Sequence, residues 1–76
     1  MTALDLEELL IARLIRERGG TSQAWQWALG KVIVRDTDTY PHCNWDVRPS
    51  GTDMQRGAIE RLLDDVRLEH PILEGS

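Results

Sequence analysis

Ser22-Gln23-Ala24-Trp25-Gln26-Trp27-Ala28-Leu29-Gly30-Lys31-Val32-Ile33-Val34-Arg35 is the stretch whose reading decides the fold. Two periods compete in it. Trp25, Trp27 and Leu29 alternate as residues on one face of a strand do, whereas Trp25, Leu29, Val32 and Ile33 also fall at helical spacing. Composition favours the strand, because Trp and the run Val32-Ile33-Val34 suit a pleated surface and Gly30 weakens any helix that passes through it. The expectation is a strand over about 23–28, a turn or bulge around Gly30, and a second strand over about 31–36. The alternative makes residues 22–34 a helix, joined to the preceding one through Gly19-Gly20 as an αα-hairpin. On a strand, Trp25 and Trp27 share one side, so they are buried together or exposed together.

Upstream, Leu6, Leu9, Leu10 and Leu14, flanked by Leu4, Ile11 and Ile15, recur at helical spacing over residues 4–18. Thr2 and Asp5 stand in capping-box spacing, Arg16 and Arg18 sit late, and Gly19-Gly20 end the helix. The apolar stripe is wide enough to cover a core and still offer a face to a second copy, so a homodimer is one expectation.

Downstream lies Asp36-Thr37-Asp38-Thr39-Tyr40-Pro41-His42-Cys43-Asn44-Trp45-Asp46-Val47-Arg48-Pro49-Ser50-Gly51, which holds the only cysteine and the only tyrosine. Its opening residues bond to or fix their own backbone, as hairpin loops do. Cys43, Trp45 and Val47 then alternate with Asn44, Asp46 and Arg48, which predicts a half-buried strand with the second set outward. Thr52 and Gln55 form a capping box that opens a last helix over 53–69, its core side carrying Met54, Ala58, Ile59, Leu62, Leu63 and Val66. Arg56 with Glu60 and Arg61 with Asp65 are spaced as surface pairs. Ile72-Leu73 are placed to fold back after Pro71.

The expected fold is therefore α+β in the order α-β-β-β-α, an antiparallel sheet with two helices packed on one face. The alternative order is α-α-β-α. The 76 residues form one small domain, with 1–3 and 74–76 as frayed ends, and a chain of this size buries a modest core.

Composition narrows the function classes. Nine basic against 13 acidic side chains give a net charge of −4, which disfavours the clustered cations that neutralise phosphates. No apolar run approaches the length of a membrane span. A lone cysteine excludes an internal disulfide and, with no signal-like opening, points to the cytoplasm.

Asp36, Asp38, His42 and Cys43 supply metal-ligating atoms, yet lack the paired-ligand spacing of structural zinc sites. Cys43 with His42 or His70, oriented by Asp46 or Asp38, is a nucleophile arrangement that adjacent strand residues cannot easily form. Pro49-Ser50-Gly51-Thr52 with Arg48 is an ordinary strand-to-helix connection with some capacity for an anion. Trp25, Trp27, Trp45 and Tyr40 belong to the residue types that dominate protein-binding surfaces.

The leading reading is a small non-enzymatic bacterial interaction or regulatory protein. It binds another protein through Tyr40, His42, Asn44, Asp46, Arg48, Trp25 and Trp27, and needs no cofactor. A ligand- or metal-binding domain at Asp36, Asp38, His42 and Cys43 is the alternative. Nucleic-acid binding through Arg35, Arg48 and Arg56 comes third.

Overall fold

In the computed structural model, which describes residues 1–74, the elements in chain order are α1 (Ala3–Arg18), α2 (Ser22–Leu29), β1 (Val32–Val34), β2 (Trp45–Val47) and α3 (Asp53–Glu69). The fold is small α+β, with three helices and one two-stranded antiparallel sheet among the described residues. The strand expected over 23–28 is instead helix, and the helical alternative over 22–34 is right only as far as Leu29. Local chemistry explains both outcomes. Thr21 caps the helix with its hydroxyl accepting from Ala24 N–H, and Gly30 ends it at φ +71° with its N–H bonded to the Gln26 carbonyl. Gly30 is thus a terminator and not a weak point in mid-helix, and the β-branched run begins only beyond it.

The ribbon pairs Val32 with Val47, Ile33 with Asp46 and Val34 with Trp45. Directly paired residues share a face, so Val32, Val34, Trp45 and Val47 look inward and Ile33 and Asp46 outward. Trp45 and Val47 are buried, with Val32, Val34 and Cys43 packed at the edge of the core. Helix α1 packs against α2, β1 and α3, and supplies Leu6, Leu10, Ile11 and Leu14 to the core. α3 contributes Ala58, Ile59, Leu62, Leu63 and Val66, as its spacing predicts, but Met54 is 74% exposed at its first turn. Both predicted capping boxes, Thr2 with Asp5 and Thr52 with Gln55, are present. Arg56 pairs with Asp53, three residues before it, and not with the Glu60 four residues after it that spacing suggests.

The C-terminal segment folds back as anticipated, with Leu73 buried and Ile72 exposed. The Glu74 N–H reaches the Met1 carbonyl at 2.9 Å, and Ala3 already lies in α1, so residues 1–3 are tied into the structure. Of the expected frayed ends, residues 75 and 76 lie outside the described residues.

Candidate functional site

The helical assignment of residues 22–29 separates the two tryptophans that a strand would have kept together. Residues two apart on a helix differ by about 200° in direction, so they face opposite ways. Trp25 turns inward at 6% exposure and donates its indole N–H to the Gly19 carbonyl at 2.8 Å, fastening α2 to the α1–α2 turn. Trp27 turns outward at 81% exposure.

The backbone beneath Trp27 is held firmly. Ser50 N–H donates to the Ala28 carbonyl at 2.7 Å, and Ser50 Oγ–H to the Trp27 carbonyl at 3.3 Å. Two of the last carbonyls of α2, which no helical N–H can reach, are thereby satisfied by the β2–α3 connection. Gly51 makes that connection possible: its φ of +97° disfavours any side chain, and a Cβ there would collide with the Gln55 side chain and sit 3.4 Å from Ala28 Cβ. Around the indole lies an open depression of about 460 Å³ lined by Gln23, Gln26, Trp27, Gly30 and Ser50, none of them charged. Lys31 and Arg48, both exposed, flank the terminal pair Val32 and Val47 at this end of the ribbon, Lys31 just before Val32 and Arg48 just after Val47. Neither forms an ion pair among the described residues.

The remaining members of the expected surface are dispersed. Tyr40 leaves from the opposite end of the ribbon, 43% exposed, with the Arg35 guanidinium 5.1 Å from its ring centroid. Its loop is self-supporting, because Asp36 accepts Asp38 N–H on its side chain and Thr39 and Tyr40 N–H on its carbonyl. His42 is exposed nearby in sequence. Asp46 is half-buried and bonded to Arg67 at 2.7 Å, while the Arg67 guanidinium also lies 5.5 Å from the Trp45 ring.

Asn44 corrects the expected alternation most sharply. It is 2% exposed, its Nδ2 donates to the Leu73 carbonyl at 2.9 Å and its Oδ1 accepts the Leu73 N–H at 2.7 Å. The side chain therefore belongs to the structural clasp of the C-terminal segment and presents nothing to a partner. Trp25 is likewise withdrawn from the surface.

Among the described residues, no three His, Cys, Asp or Glu side chains are grouped so as to hold a metal ion, and Asp36, Asp38, His42 and Cys43 form no such group. Cys43 is half-buried and directs its thiol to the Trp45 carbonyl at 3.4 Å. Arg35, Arg48 and Arg56 lie on separate segments; Arg35 stacks on Tyr40 and Arg56 pairs with Asp53. No helix is long and apolar enough to cross a membrane among the described residues.

Reading by residue type did not single out Gln23 and Lys31, and took Ser50 only as part of the strand-to-helix connection, not as a neighbour of Trp27. A signal was available for Lys31: from Arg18 to Arg35 the chain has no Asp or Glu, although it carries 13 in all. Comparison with protein-family models, with curated proteins and with solved structures found no match.

Proposed function

We propose that the protein is a small non-enzymatic interaction module of the cytoplasm that binds another protein through the Trp27 face of α2. The observation that carries this reading is an indole 81% exposed on a helix whose end is hydrogen-bonded to a neighbouring connection. Exposed Trp is costly to leave in water, and a side chain on a fixed backbone loses less freedom when a partner covers it. Those are the properties of an anchoring residue at an interface. Tyr40 and His42, at the other end of the ribbon, form a separate exposed loop and are not needed for this contact.

Affinity capture from native cell extract tests the assignment with wild type, Trp27→Ala and Tyr40→Ala. Trp27→Ala leaves the melting temperature within a degree or two, because little of the side chain is packed, yet loses the partner; Tyr40→Ala retains it. A partner held equally by all three proteins sinks the Trp27 assignment.

A further inference from the structure

The uneven distribution of charge around Trp27 identifies the chemistry of what binds there. We infer that the Trp27 face receives an acidic segment of a partner protein, with a large apolar side chain laid on the indole and flanking carboxylates directed to Lys31 and Arg48. This rests on the protein-binding reading above and adds the partner's character to it.

The depression beside the indole is lined by uncharged residues, so apolar and neutral polar atoms can enter it without stranding a charge. The backbone of two cationic residues passes beside its margin at Gly30: Lys31 follows directly, and the Arg48 carbonyl lies 3.8 Å from where a Gly30 Cβ would stand. Carboxylates of adjoining segments are already engaged, Glu7 with Val32 N–H, Asp46 with Arg67 and Asp53 with Arg56. An acidic chain of net charge −4 thus carries one face where an aromatic anchor lies near two cations that form no ion pair among the described residues, while the acids nearest them, Glu7 and Asp46, are turned to Val32 N–H and Arg67. Complementary charge of this kind speeds encounter and sets register, while the apolar contact holds the complex. A nucleic-acid strand is the poorer fit, since two cations neutralise few phosphates and the rest of the surface repels them.

Selection from a random displayed peptide library by the full chain, followed by fluorescence polarisation with the selected peptides, tests the inference. Expected are sequences with Asp and Glu around one large apolar residue, their affinity falling about tenfold or more with Trp27→Ala and falling as salt rises. The double variant Lys31→Glu with Arg48→Glu should select basic sequences instead. Lys31→Gln with Arg48→Gln, a milder change that keeps the fold, should lose the acidic preference. Peptides that depend on Trp27 but show no acidic bias overturn the charge inference and leave the protein-binding reading standing. No enrichment, or enrichment indifferent to Trp27→Ala, overturns both. Oligothymidylate bound more tightly than any selected peptide overturns them in favour of a single-strand ligand.

Discussion

Asn44 gives both atoms of its amide to the Leu73 backbone, and its own N–H to the Pro71 carbonyl at 3.1 Å. Trp45 adds a second tie one residue on, its indole N–H donating to the His70 carbonyl at 2.7 Å. A side chain here imitates the backbone of a neighbouring strand, which lets a short tail be buried without forming a ladder of its own. Asn44→Ala leaves the Leu73 N–H and carbonyl buried without partners, and the expected loss is about 2–4 kcal/mol, read as a lower urea midpoint at unchanged slope. Asn44→Asp is similarly harmful, because a carboxylate oxygen then faces the Leu73 carbonyl. The tryptophans give an independent check at the same scale. Acrylamide should quench chiefly Trp27, so Trp27→Phe removes most of the quenchable emission, while Trp25 and Trp45 stay shielded. The role of Asn44 was illegible in the sequence for a physical reason: alternation assigns polar residues to water, and nothing local announces an amide satisfied 29 residues away.

The helix α2 exists because its two ends are specified. Thr21→Ala removes the only side-chain cap at its start and should lower stability by about 1 kcal/mol, measurable by thermal or urea unfolding. α1 and α3 were legible almost to the residue, since each combines a long apolar stripe with a reciprocal capping box. α2 offers eight residues, a single capping hydroxyl and a closing glycine, too little periodicity to outweigh the β-forming Trp and Val residues. The strands were legible in kind but not extent, because three paired residues on each side carry little pattern. Misreading α2 had one direct cost for the candidate site: it tied the fates of Trp25 and Trp27, whose separation creates the exposed anchor.

Across the whole molecule, α1 and α3 are joined at the surface by Arg13 and Glu69, whose charged groups lie 2.7 Å apart. The hydrogen bond from Arg13 holds the Glu69 carboxyl below the usual carboxylate range. A folded-state value below the unfolded one means that the pair stabilises the fold above the ordinary glutamate pKa of about 4.3, and that this contribution fades as pH falls through the depressed value. Melting temperature plotted against pH should therefore decline less steeply on the acid side for Glu69→Gln than for wild type. Some acid sensitivity should persist, because Asp5, lowered by its hydrogen bond with the Thr2 backbone, acts in the same direction.

The clasp between Asn44 and Leu73 also sets an order of events during folding. Until the segment that carries Leu73 docks, the backbone that satisfies the Asn44 amide is absent, and a buried amide without partners is unfavourable. Helices α1 and α2 can meet through contacts close in sequence, but the ribbon cannot close over Asn44 until residue 73 is in place. A partly folded chain whose C-terminal segment is undocked consequently leaves Trp45 without its tie to His70, which makes that species the one most exposed to aggregation or to a chaperone.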